Sequence, residues 1–194
     1  DGSTINGYFY GVQFAQSTVW PVAPLPIALN ETCTAPVHSW SGAAVTAQPS
    51  SLWVETFSPA ALPNSPATSP LIFASNATTD FSGLQLAAST TVYNIQTVGT
   101  AASVSQWSIS GAGTGDGSTA SGNKVTQLAA INTNDIQLYS QTASLGTDTS
   151  ATIPTAPITT ISVGSNQSAT VGGINLFITR AAVFNTRKTN ADAP

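Results

Sequence analysis

Eight carboxylates, at Asp1, Glu31, Glu55, Asp80, Asp116, Asp135, Asp148 and Asp192, are the groups of this 194-residue chain best able to do acid–base work. A retaining glycosidase needs two carboxyl groups about 5–5.5 Å apart, usually delivered by acidic residues alternating along one strand face. Each acid here stands isolated in sequence, and no Glu-x-Asp-x-x-Glu run exists. Glu55 is the best single candidate, and a structural, hydrogen-bonded role is the competing reading. The only histidine, His38 in Pro36-Val-His-Ser-Trp40, has no Gly-x-Ser-x-Gly elbow to serve, so a serine triad lacks its parts. A turn or interface position is the expectation for His38, and a non-enzymatic protein is the expectation for the chain.

Metal chemistry is equally thin. Zinc would want a cluster of Cys and His, which the sequence does not contain. Calcium could draw on the oxygens of Asp116, in a Gly-rich stretch, and of Asn134-Asp135, but solvated loops explain those residues more simply. No cofactor is expected. Cys33, the single cysteine, cannot form an internal disulfide and reads as a small buried side chain rather than a reactive thiol.

Carbohydrate recognition asks for less: an aromatic face for the apolar side of a sugar and fixed amides for its hydroxyls. If the polar positions of neighbouring strands align, Asn94, Gln96, Gln106 and Gln127 form an amide-lined face with Trp107 nearby. The alternative is an ordinary solvated sheet face with Trp107 in the core. Trp20 and Trp40 read as ligand platforms or as core or interface anchors, whereas Trp53, inside a strand pattern, reads as core. Sequons at Asn30, Asn76 and Asn166 are expected by chance in a chain so rich in Asn, Ser and Thr.

Charge narrows the partners. Charged residues make up 6% of the chain, against roughly 25% in ordinary soluble domains. Solubility therefore rests on neutral polar groups, a surface with few ion pairs to screen and few groups to titrate. That suits an extracellular setting. Four bases, Lys124, Arg180, Arg187 and Lys188, and a net charge of -4 give no basic stripe for phosphate, so nucleic acid is not an expected partner. No run approaches the ~18 apolar residues of a membrane span, and membrane insertion is not expected. The start lacks the basic and apolar regions of a signal peptide and the chain has no methionine, which suggests a processed product or an excised domain.

Short β-prone runs separated by turn-forming clusters must position these residues. Strands are predicted at Tyr8 to Phe14, Ser51 to Phe57, Leu71 to Ser75, Gly83 to Ala87, Thr91 to Val98, Ser103 to Ile109, Lys124 to Ile131, Ile136 to Tyr139, Ile158 to Val163 and Asn175 to Phe184. About ten short strands at this spacing predict an all-β, two-sheet antiparallel sandwich or jelly roll. In Thr91-Val-Tyr-Asn-Ile-Gln-Thr-Val98, Tyr93, Ile95 and Thr97 share one face and Asn94 and Gln96 the other. Gly111 to Gly122 and the proline clusters read as surface loops. Residues 1–50 are expected to form an extended arm and first strands, with Val19 to Pro49 limited by prolines to edge or extended conformations. Residues 51–194 are expected to form the sandwich.

From Lys124 onward the order of elements resembles the closing half of a concanavalin A-like, laminin G-like domain, in the version found in phage fibre, tail and head-appendage proteins. The likeness rests on Lys124 to Ile131, Asn134 to Tyr139, Thr147 to Pro154, a strand ending in Val163-Gly-Ser165, and a last strand running into Val183-Phe-Asn-Thr-Arg-Lys-Thr189. Upstream, Ser51-Leu-Trp-Val-Glu-Thr-Phe57 is similar to an early family strand with an acid between aromatic and aliphatic neighbours. The resemblance covers about Ser51 to Thr189 and implies a concanavalin A-like jelly roll. It also implies a virion-surface or extracellular appendage, a head or tail fibre or spike, that binds host surface polysaccharide and contacts other virion proteins. A purely structural capsid decoration or extracellular assembly protein without ligand is the other expectation. Sparsely charged strand edges need covering, so a homo-oligomer is expected, a trimer first.

Overall fold

The computed structural model describes residues 38–41, 50–57, 68–77, 79–87, 94–112, 124–167, 177–189 and 191. The predicted strand at Tyr8 to Phe14, Trp20, Cys33, Asp116 and most of the Gly-rich stretch lie outside the described residues. Eleven strands are formed among the described residues: β1 His38–Ser41, β2 Ser50–Phe57, β3 Ser69–Ala77, β4 Asp80–Ala87, β5 Asn94–Ala101, β6 Val104–Ala112, β7 Lys124–Asn132, β8 Asp135–Ser140, β9 Ala143–Asp148, β10 Thr160–Val163 and β11 Phe177–Phe184. They make a six-stranded sheet in the order β1-β10-β3-β4-β5-β6 and a five-stranded sheet in the order β11-β2-β7-β8-β9, all neighbours antiparallel.

Alternation decides which side chains meet between the sheets. On β5, Ile95 and Thr97 are buried while Asn94 and Gln96 are half-buried, as the sequence pattern predicts. On β2, Leu52 and Val54 join the core, and β7 adds Val125, Ala129 and Ile131 from the same sheet. Facing them from the other sheet stand Ile72, Leu84, Leu86, Ile95, Trp107 and Ile109, so the interior is built from both inner faces, as a sandwich requires. Ala151, Ile153 and Ile158, from the segment between β9 and β10, close the core.

Two aromatic residues depart from this scheme. Trp53 is buried, as expected, but lies between Leu52 and Val54 on the opposite side of β2 and outside the main core cluster. Phe73 is likewise buried on the outer side of β3, where its ring occupies the space a side chain at Gly83 would need and packs against Phe81 at 5.8 Å between ring centres, the planes tilted by 44°.

One strand, β9, was not anticipated from the sequence, and another, β1, was expected only as an unlocated edge or extended segment. β9 carries only Leu145 as a large apolar residue and includes Gly146, so its pattern is weak. It is recruited by pairing with β8 and by the close approach of β6, whose Gly111 lies against Leu145. β1 falls in the proline-limited region and exists as a short edge strand paired only with β10.

Hairpins β5–β6, β7–β8 and β8–β9 turn through two residues each. Ala102 and Ser103 (φ 49° and 68°), Asn134 (55°) and Gln141 (52°) adopt the left-handed region there. Asp80 steadies the first of these turns by accepting the Ala102 N–H at 2.8 Å, and the Ser103 N–H reaches the Thr79 carbonyl at 3.1 Å. Beyond β11 the chain folds back over β2. The Ser51 hydroxyl donates to the Thr186 carbonyl at 3.2 Å and accepts the Lys188 N–H at 2.7 Å, and Arg187 pairs with Asp135 at 2.8 Å. These contacts are made by the Val183 to Thr189 segment on which the sequence resemblance partly rests.

Candidate functional site

Strands β4, β5 and β6 run side by side, and their outward residues form a neutral polar face. Gln85 on β4 stands opposite Gln96 on β5, which in turn stands opposite Ser110 on β6. The Gln85 Nε2 donates to Gln96 Oε1 at 2.6 Å, and the Gln96 Nε2 donates to Ser108 Oγ at 2.9 Å. One polar ladder therefore crosses three strands, with each amide orientation fixed by the next. Asn94 lies two residues from Gln96 on the same face, and Ser108 and Ser110 are exposed. The inward residues of these strands, Leu84, Leu86, Ile95, Thr97 and Ile109, are buried and hold the backbone beneath the ladder rigid.

The five residues expected to form one face are thus only partly brought together. Asn94 and Gln96 share the outer face of the six-stranded sheet. Gln106 sits on neighbouring β6 at a register shift, where Trp107 pairs with Gly99 and Ser105 with Thr100. Its amide donates to the Val104 carbonyl at 3.3 Å and accepts the Thr152 N–H at 3.3 Å, so it ties the segment entering the core to β6. Trp107 is a correction: at 2% exposure it points between the sheets, its Nε1–H on the Thr97 hydroxyl at 3.3 Å and its ring over Gly99, and offers no face to a ligand. Gln127 is a second correction. It lies on β7 in the other sheet, paired with Val54 and 1% exposed, because its strand parity places it with Val125 and Ala129. Gln85 and Ser108 were missed in the sequence. The signal that could have found them is Gln85 between Leu84 and Leu86 and Ser108 between Trp107 and Ile109, each an outward position in an alternating run.

The second polar centre lies on the outer side of the five-stranded sheet. Glu55 on β2 has Arg180 of β11 beside it on one flank and Thr126 of β7 on the other. Arg180 reaches its carboxylate through Nε at 3.4 Å and Nη2 at 3.1 Å, Lys124 approaches at 3.4 Å, and the Thr179 hydroxyl donates at 2.5 Å. The Glu55 side chain is 8% exposed, those of Lys124 and Arg180 59% and 61%. The Thr179 hydrogen bond, with the two cations, holds the Glu55 carboxyl below its ordinary range despite the opposing effect of burial. The remaining acids of the described residues are held locally: Asp80 by the Ala102 N–H, Asp148 by the N–H and hydroxyl of Ser150, and Asp135 by Arg187. Among the described residues no three His, Cys, Asp or Glu side chains gather as a metal would require, and no helix is long and apolar enough to cross a membrane.

No protein-family model matches the chain, and no curated protein sequence matches it. Solved structures do. A native heptameric SAP-like pentraxin from Limulus polyphemus superposes with a TM-score of 0.53 at 9% identity, over 75% of this chain and 68% of that one. The receptor-binding domain of botulinum neurotoxin C/D mosaic serotype gives 0.54 at 15% identity, over 74% of this chain and 34% of the other. The chain thus corresponds to about a third of the toxin fragment. At such identities the likeness is one of fold. With two antiparallel sheets enclosing one core, this chain has the concanavalin A-like jelly-roll fold.

Proposed function

We propose that this chain is a non-enzymatic, glycan-binding domain of a virion appendage, a phage head or tail fibre or spike, and that its ligand is a host surface polysaccharide. The observation that carries the glycan reading is the Gln85–Gln96–Ser108 ladder on three rigid strands. Amides and hydroxyls fixed on a sheet present donors and acceptors at set spacings, which is what a row of sugar hydroxyls needs. A pre-ordered neutral face also loses little side-chain entropy when a neutral polymer docks. The virion setting is supported by the sequence resemblance and by a surface that depends on neutral polar groups. Other virion proteins and further copies of this chain, a trimer first, are the protein partners of this reading.

A second reading, a purely structural virion component without ligand, draws on the mutual satisfaction of those same amides, since a ladder that hydrogen-bonds itself is also a stable solvated surface. A glycan array including host surface polysaccharide, run with light scattering for mass, separates the two. Saturable binding that is lost in Gln96→Ala, with folding intact, supports the adhesin. An assembled oligomer that binds nothing on the array turns the assignment to the structural component.

A further inference from the structure

We infer that the outer side of the five-stranded sheet carries a second binding site, built on Lys124 and Arg180, that takes the carboxylate of an acidic sugar. Half of the chain's four bases converge there on one carboxylate. The two cations come from strands on opposite sides of β2, one on β7 and one on β11, so sheet pairing holds them on either flank of Glu55. Glu55 is almost fully covered while both cations are more than half exposed, so the carboxylate anchors them from below and their outer surfaces face solvent. Two positive charges against one negative leave the patch with a surplus of one, which a monoanionic group balances.

The surroundings favour a sugar acid over an acidic peptide. Phe57 stands opposite Lys124 in the strand pairing and on the same side of β2 as Glu55, half-buried. Thr126, directly opposite Glu55 on β7, and exposed Thr179 add hydroxyls on either flank. Two exposed cations for the carboxylate, hydroxyls for the ring substituents and an aromatic residue on the same strand face make up a recognition set for a uronic acid. This site is on the opposite sheet from the Gln85–Gln96–Ser108 ladder, so the two succeed or fail separately.

The test uses the whole chain with tri-galacturonic acid as the probe, its neutral galactose counterpart and a glutamate tripeptide as comparators, read by calorimetry and by backbone NMR shifts. Expected are binding of the uronate that weakens as salt rises, shifts centred on residues 55, 57, 124 and 180, and no such shifts with the neutral trisaccharide. Replacing the charge set as a unit, Glu55→Gln with Lys124→Gln and Arg180→Gln, leaves no buried charge unpaired and should weaken uronate binding by about tenfold or more. Arg180→Lys, which keeps the charge but loses the guanidinium's remaining outward N–H groups, should weaken it severalfold. Should the triple variant fail to fold, the shift map on the unaltered chain and Arg180→Lys decide alone. Uronate shifts elsewhere, no binding, or equal or tighter binding of the glutamate tripeptide at the same residues overturns the assignment.

Discussion

Gly99 is the position where a single added methyl should be felt most. It lies in the interior of β5, in an extended conformation open to any residue, so replacing it by Ala would ordinarily help the strand by about 0.5–1 kcal/mol. Here the sign reverses. A Cβ built at Gly99 falls 2.0 Å from Cη2 and Cζ2 of Trp107, whereas carbon atoms pack at about 3.5–4.0 Å. The indole would have to retreat by about 1.5 Å, yet it is buried among core residues and tethered through its Nε1–H to Thr97. Overpacking of this kind costs about 1–3 kcal/mol, and the tether and the completeness of burial place Gly99→Ala near the upper end. For a domain of this size about 3 kcal/mol corresponds to a fall of roughly 6–12 °C in Tm. Urea unfolding of Gly99→Ala, Trp107→Leu and the double variant makes the measurement. Because the smaller side chain empties the space that the methyl needs, the double variant should be more stable than the sum of the two losses implies, with a coupling of about 1 kcal/mol or more. A Gly99→Ala protein as stable as the parent, or additive losses, would refute the packing of Trp107 on Gly99 and with it the placement of that ring between the sheets.

Three further outcomes follow from the same structure. Glu55 has its carboxyl held low in the folded state, so its contribution is fully present above the ordinary glutamate range and is lost as pH falls through the lower folded value; stability curves measured across acid pH should show Glu55→Gln flattening that limb. Ala102 and Ser103 form a two-residue hairpin turn at positive φ, where Asn-Gly is the favoured pair, so Ala102→Asn with Ser103→Gly should raise stability by about 1 kcal/mol as read by thermal melting. Ser51→Ala removes a hydroxyl that bonds both the Thr186 carbonyl and the Lys188 N–H; a loss of about 1–3 kcal/mol and faster amide exchange at Lys188 are expected, and unchanged exchange there would show that Ser51 does not hold the C-terminal segment.

The strands that could be read in advance are those whose alternation is strong. β2, β7 and β8 appear within a residue or so of their predicted limits, and β5 shows the inward Ile95 and Thr97 and outward Asn94 and Gln96 of its pattern and runs on to Ala101, with Thr91 to Tyr93 outside the described residues. β9 was hidden because Ala143 to Asp148 pairs for reasons that lie in its neighbours, β8 and β6. For the polar face, parity within one strand was legible, but parity between strands was not. Gln127 resembles Gln96 in type and in a strand context, yet its neighbours Val125 and Ala129 turn it into the core.

Composition and periodicity together determined that this chain would be an antiparallel two-sheet sandwich with a neutral polar surface, because a period of two fixes which side of each strand seeks water. They could not determine which outward residues share a face. That depends on strand order and register, set by packing of the two inner faces and by bulges such as the one at Gly99 and Thr100, which turns Gln106 from a ladder position into a tie for the segment around Thr152. Tertiary structure alone placed Gln85 beside Gln96, put Trp107 over Gly99, and drew Lys124 and Arg180, 56 residues apart in number, to the same carboxylate. Contacts made across strands are long-range by nature, and no local pattern in the chain encodes them.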